Sequence, residues 1–355
     1  MNLNDTNLFA RLDPQHMLAE IEGLPQQLSQ AWQLGQTQPL PDWENIHQVL
    51  ITGMGGSAIG ADLLAAYAAP LGTVPIIVLR NYDLPGWARG PETLVVASSH
   101  SGNTEETMAT FTKALESGSR VLAVTRGGKL GEAAEKAGVP LWTFAHEGQP
   151  RAAVGFSFGL LLGMMVRLNF LPDASREIES AVGAMLAQQQ QLRASVEVEE
   201  NPAKRMAGQL YGRYVTIFGA DVLEPVARRW KGQMSEVAKA VASFEALPEA
   251  DHNTLAGVLN PEAVLRKVFA LFLRAPSYHE RNRLRTELTK RGFMLEGLNT
   301  DFIDAAGDTR LAHQWTALHF GDYTAYYLAM AYEVDPTPVE AIESLKVEMK
   351  RAAPN

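Results

Sequence analysis

Val49-Leu50-Ile51-Thr52-Gly53-Met54-Gly55-Gly56-Ser57-Ala58-Ile59-Gly60 is the stretch from which the fold can be read. An apolar, β-branched run passes directly into glycines and then into small residues with helical spacing. Consecutive apolar residues without polar alternation describe a strand covered on both faces, and therefore a parallel sheet with helices on each side. Glycines let the backbone turn sharply and approach an anion, and amides freed at a helix start carry partial positive charge. Alone this is a weak phosphate signal. It departs from the G-x-G-x-x-G pattern, Arg80 rather than an acid ends the next strand, and no Walker lysine follows. A tight strand-to-helix turn without a ligand is the plain alternative.

Outward from this stretch the same texture recurs. Ile76–Leu79, Leu94–Ala97, Val121–Val124 and Trp142–Phe144 read as further strands, separated by helical patterns. A second set begins at Tyr214–Gly219 and continues through Val241–Phe244 and Val268–Leu273. The expected fold is α/β: two domains, each a parallel β-sheet flanked by helices in a doubly wound α-β-α sandwich. The expected boundaries are an N-terminal helical segment at 1–44, a first domain at 45–150, a helical connection at 151–205, and a second domain with a C-terminal helix at 206–355. The length of 355 residues agrees with two domains at about 100–200 residues each. Ala152–Val166 is uncharged and apolar, yet shorter than the roughly 18–20 residues that cross a bilayer, and reads as a buried helix. Gln188–Gln191 reads as a solvated helix face, and His279–Arg291 as a surface helix.

Composition excludes several classes of function. Forty acidic against 31 basic residues leave a net charge of −9, which repels phosphate backbones and offers no polybasic stretch for a membrane. With no cysteine there is no disulfide, thiolate zinc site, cysteine nucleophile or iron–sulfur cluster. Asp5, Arg11 and Asp13 interrupt the N-terminus, so no signal peptide is readable there and a cytoplasmic location is expected.

A second anion signal follows the Leu94–Ala97 strand: Ser98-Ser99-His100-Ser101-Gly102-Asn103-Thr104-Glu105-Glu106-Thr107. Hydroxyls, a glycine and an asparagine precede a helix, offering neutral donors to one anion. A capping box built from Ser101, Thr104 and Glu105 is the plain alternative. His100, Glu105 and Glu106 suggest a metal only superficially, since the phosphate loop explains the cluster better, and no metal or other cofactor is expected. Ligands of open parallel sheets lie beyond the strand carboxyl ends, so both loops can face one crevice.

Taken together, Gly55-Gly56-Ser57 and Ser99-His100-Ser101-Gly102-Asn103-Thr104 resemble the sugar isomerase (SIS) domain. Four further motifs resemble the bifunctional phosphoglucose/phosphomannose isomerase family. They are Gln149-Pro150-Arg151-Ala152-Ala153, the run Arg229–Lys239, Leu247-Pro248-Glu249-Ala250-Asp251-His252-Asn253, and Asp335-Pro336-Thr337-Pro338-Val339 with Lys346. The resemblance implies two SIS domains and a sugar phosphate held through Ser57, Ser99, Ser101 and Thr104, with Gly55, Gly56 and Thr337 lining the substrate. It implies catalytic roles for Glu236, Arg151, His252 and Lys346, and a homodimer in which His252 reaches the neighbouring subunit's site. His100, Ser235, Val237 and Asp251 depart from the family pattern, and Asp251 is expected to keep His252 more strongly protonated. Extra length is expected around Ser277–Thr300.

The reaction so implied is an aldose–ketose isomerisation of glucose 6-phosphate, and of mannose 6-phosphate, with fructose 6-phosphate. It opens the ring, removes a proton beside the carbonyl and returns it to the adjacent carbon, and one carboxylate, Glu236, serves both transfers. Arg151 faces the charge that develops on the enediolate oxygen. His252 and Lys346 assist ring opening. Each has a plain alternative: Glu236 a solvated helix acid, Arg151 an ion pair at a helix start, His252 a solvated loop histidine, Lys346 a helical partner of Glu343. The rival from another class is a non-catalytic sugar-phosphate sensor, which would keep the serines and lack the base. An amino-sugar phosphate synthase would need a cysteine glutaminase, which this chain lacks.

Overall fold

The structure is a computed structural model and describes residues 2–352. Five strands form the first sheet: β1 (Gln48–Thr52), β2 (Ile76–Leu79), β3 (Thr93–Ser99), β4 (Arg120–Thr125) and β5 (Leu141–Thr143). All pairings are parallel, in the order β2-β1-β3-β4-β5. The second sheet contains β6 (Tyr214–Ala220), β7 (Ala242–Leu247), β8 (Val268–Arg274) and β9 (Asn299–Asp304), parallel and ordered β7-β6-β8-β9. The second sheet thus repeats the winding of the first without its fifth strand. The doubly wound α/β architecture expected from the apolar runs is present, and every residue of β3 is buried, as a central strand covered on both faces requires. The strand β9 lies beyond the strands expected from sequence, because Asn299, Thr300, Asp301 and Asp304 dilute its apolar signal. Its edge position, paired only with β8, tolerates them.

The apolar run after Arg151 is helix Val154–Arg167, and its glycines explain its position. Gly155, Gly159 and Gly163 recur at one-turn spacing and lie against helix Leu24–Thr37. A Cβ on Gly159 would lie 2.6 Å from the Ala31 Cβ, and one on Gly163 3.0 Å from the Gly35 Cα. The N-terminal helical segment is therefore packed backbone to backbone against the connection. Among the described residues no helix is long and apolar enough to cross a membrane.

Helix Arg310–Tyr332 is buried along almost its whole length and joins the two sheets. The Gln314 side-chain amide donates to the carbonyls of Leu63 (3.0 Å) and Val222 (3.1 Å), one from each half of the chain. The same helix corrects the reading of the glutamine run. Gln189 is buried, donating to the Glu22 carbonyl and the Tyr323 hydroxyl, and Gln188 donates to the Thr316 carbonyl, so that only Gln190 and Gln191 face solvent. A glutamine amide can satisfy a buried carbonyl, which composition alone does not reveal. Helix Glu280–Leu295 is a surface helix as expected, with Leu284, Leu288 and Leu295 exposed.

Candidate active site

In the first sheet the winding reverses between β1 and β3, and the loops leaving these two strands form the crevice where open α/β sheets hold ligands. After β1, Gly55 takes a left-handed φ of 50° and opens helix Gly55–Ala68. Its N-cap Met54 makes no side-chain cap, so the first amides are not closed off from that side. Ser57 is buried in this first turn, and its Oγ accepts the His100 amide at 3.2 Å. After β3, Ser99 Oγ meets Thr104 Oγ1 at 2.9 Å and accepts the Gly102 amide at 3.1 Å. Ser101 Oγ accepts the Asn103 amide. Gly102 has φ 68°, and a Cβ there would lie 1.8 Å from the Gly127 carbonyl oxygen, so only glycine closes this turn. Thr104 is the N-cap of helix Glu105–Glu116, but its hydroxyl caps nothing and pairs with Ser99 instead. The capping-box alternative therefore does not describe the loop. Ser57, Ser99, Ser101 and Thr104 thus lie as neutral hydroxyls on two loops beside two helix starts, with Ser57 and Ser99 buried and Ser101 exposed. Gly56 has a further use: a Cβ there would lie 2.3 Å from the Pro150 carbonyl oxygen, so its bareness lets the turn bearing Arg151 cross the loop.

That turn brings the halves together. Arg151 sits in the short 3-10 helix Pro150–Ala152 and is 4% exposed. The Gln27 amide clamps it from the N-terminal segment, donating to the Ala152 carbonyl (3.0 Å) and accepting the Gly155 amide (2.7 Å). Arg229 supports it from the other side. Its guanidinium donates to the Arg151 carbonyl at 3.0 Å while forming a buried two-point pair with Asp322, at 3.1 and 2.6 Å. Arg151 Nη2 donates to the carbonyls of Pro336 (2.9 Å) and Thr337, and Nη1 lies 3.7 Å from Glu236 Oε2. Burial lowers the guanidinium's affinity for its proton, and the nearby Glu236 opposes this; a guanidinium stays charged in either case.

Glu236 is the last residue of helix Glu224–Glu236, which Pro225 starts and whose inner face buries Arg229, Trp230, Gln233 and Met234. A third of the Glu236 side chain is exposed, so its carboxylate reaches solvent beside the buried Arg151. Arg151 Nε and Thr337 Oγ1 are both buried without a hydrogen-bond partner, unusual for polar groups at the same corner.

Lys239 ends the Arg229–Lys239 motif, and nothing in its local sequence marks it as a site residue. Its left-handed turn (φ 55°) folds the ammonium back onto the Glu236 carbonyl at 2.6 Å and onto Pro336 O at 3.3 Å. Arg151 and Lys239 thus converge on one carbonyl. Burial first, and then the Arg151 charge, pull Lys239 down to about 8. Gln27 and Arg229 escaped notice because their roles depend on long-range contacts that spacing cannot reveal.

His252 and Lys346 are not brought to Glu236. His252 ends the 3-10 helix Glu249–His252 and is exposed; Lys346 is exposed on helix Glu340–Ala352, which buries none of its residues. Among the described residues Lys346 has no ion pair, Glu343 included. Asp251 corrects an expectation: its carboxylate turns to Arg285 (2.8 Å) and Thr289 (2.6 Å), not to His252, because the neighbouring surface helix supplies a cation and a hydroxyl.

Residues 199–349 match the sequence profile of the bacterial phospho-glucose isomerase C-terminal SIS domain. A bifunctional phosphoglucose/phosphomannose isomerase of Caldicellulosiruptor bescii is 37% identical, the match covering 93% of this chain and 98% of that protein. One from Aquifex aeolicus is 31% identical, over 88% and 95% respectively. A hypothetical protein from Thermus thermophilus shares the fold with a TM-score of 0.74 at 18% identity, covering 98% of this chain and 93% of that one. On the strength of this near full-length similarity, which spans both sheets, the chain belongs to the bifunctional phosphoglucose/phosphomannose isomerase family.

Proposed function

We propose that this isomerase interconverts glucose 6-phosphate and mannose 6-phosphate with fructose 6-phosphate through a cis-enediol, in the cytoplasm and as a homodimer. The observation that carries the reading is the Arg151 guanidinium 3.7 Å from the Glu236 carboxylate, on a turn that crosses the loop after β1 at Gly56. In this reading Ser57, Ser99, Ser101 and Thr104 hold the phosphate, with Gly55 and Gly56 opening the backbone beside it. The open-chain aldose then presents its C2 proton to Glu236. The carboxylate takes that proton while electrons move into the C1 oxygen, and Arg151 offsets the developing charge. The O2 hydroxyl proton passes to O1, and returning the carbon-derived proton to C1 while the carbonyl re-forms at C2 gives the ketose. A glutamate at this position can reach both carbons of a planar enediol from one side. Thr337 keeps a buried hydroxyl without a partner beside Arg151, and in this reading it serves the sugar and the choice of C2 epimer.

His252 and Lys346 act in ring opening once two copies assemble. What supports the second copy is that both are exposed and remote from Glu236, while helix Glu340–Ala352 leaves Ile342, Leu345 and Met349 exposed. An assay after EDTA treatment, with glucose 6-phosphate and mannose 6-phosphate each coupled to fructose 6-phosphate detection, tests the proposal. Turnover of both is expected. Binding without turnover would favour the sensor, and turnover of one alone would remove the second specificity.

A further inference from the structure

Beside the hydroxyl loops lies a chain of titratable groups that the reaction above does not use. His100 Nε2 meets His146 Nδ1 at 2.9 Å, and His146 Nε2 meets Glu20 Oε2 at 2.9 Å. The three residues come from three places: the loop after β3, the segment after β5, and helix Met17–Glu22 of the N-terminal segment. The site is walled. Phe144 and Phe156 stack with centroids 4.9 Å apart, and the rings of His100 and His146 stand edge-on to them. A Cβ on Gly148 would lie 2.3 Å from Glu20 Oε1, so the chain after His146 closes directly over the carboxylate.

We propose that Glu20, His146 and His100 form a positioning relay through which the N-terminal helix sets the geometry of the loop that binds the phosphate monoester. The inference rests on the phosphate role assigned above to Ser57, Ser99 and Ser101. A carboxylate only accepts hydrogen bonds, so Glu20 puts a proton on His146 Nε2. In the neutral imidazole, Nδ1 then accepts, and His100 supplies its Nε2 proton. Burial first, then His146 and Arg126, lower His100 to about 4, with Glu20 acting the other way, so His100 is neutral near pH 7. A ring held by its far nitrogen and walled by Phe144 fixes the peptide between Ser99 and Ser101. That peptide matters because the His100 amide donates to Ser57 Oγ, leaving the Ser57 hydroxyl proton free for an anion. One relay thus orders hydroxyls from both anion loops. His100, His146 and Glu20 touch no reacting atom in this scheme and act through the loop.

The test uses Glu20→Gln, which keeps shape but loses the charge and the one-way acceptor, and His146→Phe, which suits the aromatic walls and removes both bonds. Losing a buried, charge-assisted bond is expected to raise KM for fructose 6-phosphate about five- to tenfold in each, with kcat within about twofold and the melting temperature lowered by only a few degrees. A KM within about twofold of wild type in both variants would overturn the relay. So would a matched fall of kcat and melting temperature, which marks a merely structural role. Should the wild type show no isomerisation, the isomerase reading fails separately. Calorimetric affinity for inorganic phosphate, wild type against Glu20→Gln, then decides the relay by the same five- to tenfold criterion.

Discussion

The crevice between β1 and β3 and the crevice between β6 and β8 have the same topology and opposite chemistry. In the first, hydroxyls of Ser57, Ser99, Ser101 and Thr104 follow the strand ends, and among the described residues no acidic side chain joins their hydrogen bonds. In the second, Asp221 stands just after β6 with its carboxylate accepting the His279 amide (2.9 Å) and the Asn282 side chain (3.0 Å). Tyr278 fills the remaining space, accepting the Ala220 amide and donating to the Leu273 carbonyl, each at 3.0 Å. An anion there would meet a carboxylate and a phenol already satisfied. The winding offers a ligand position twice, and the loop residues decide whether it is used. The second half contributes instead through helix Glu224–Glu236, whose end carries Glu236 toward Arg151. In the proposed reading, the first half holds the substrate and the second supplies the base.

This division can be broken first at the base. Glu236→Gln is expected to lower kcat at least about a hundredfold, the lower end of general-base contributions, while fructose 6-phosphate still binds. Near-normal turnover would mean that the second half supplies no base. A paired experiment then sets one crevice against the other. Ser101→Ala with Thr104→Ala should raise KM about tenfold or more, since two donors to an anion are lost. Asp221→Ala with Asn282→Ala should leave KM unchanged and lower stability by about 1–3 kcal/mol, measured by denaturant unfolding. Equal effects on KM would erase the distinction.

The smallest effect sharpens the seam between the halves. Lys239 is cationic below about 8 and loses its charge above it, so wild-type kcat/KM should fall as pH rises through that value. Lys239→Met should flatten that limb and lower kcat/KM severalfold below it, and Lys239→Arg should restore the rate and carry the limb to higher pH. A limb unchanged in Lys239→Met would assign it elsewhere.

Much of this was legible one residue at a time. Glycine after an apolar run and hydroxyls before a helix are local signals, and they located the first sheet and the loops that leave β1 and β3. Glu236 and Arg151 were legible only through motif order, since an acid at a helix end and an arginine before an apolar run are individually ordinary. Gln189 was misread, and β9 and Lys239 overlooked, because their environments come from distant chain: Tyr323 and Glu22 for the glutamine, β8 for the edge strand, Pro336 for the lysine. The Asp251–Arg285 pair similarly depends on how helix Glu280–Leu295 packs.

By itself the sequence determined where the apolar strands lie, where an anion could be held by neutral groups, and which chemistry its charged residues permit, because these follow from local backbone preference and side-chain type. Only the tertiary structure decided that Arg151 faces Glu236, that Gln27 and Arg229 hold the turn between them, that Glu20 reaches the first loop through two histidines, and that the second crevice is filled. Hydrogen bonds and charge act over a few ångströms regardless of separation along the chain, so packing, rather than spacing, selects the partners.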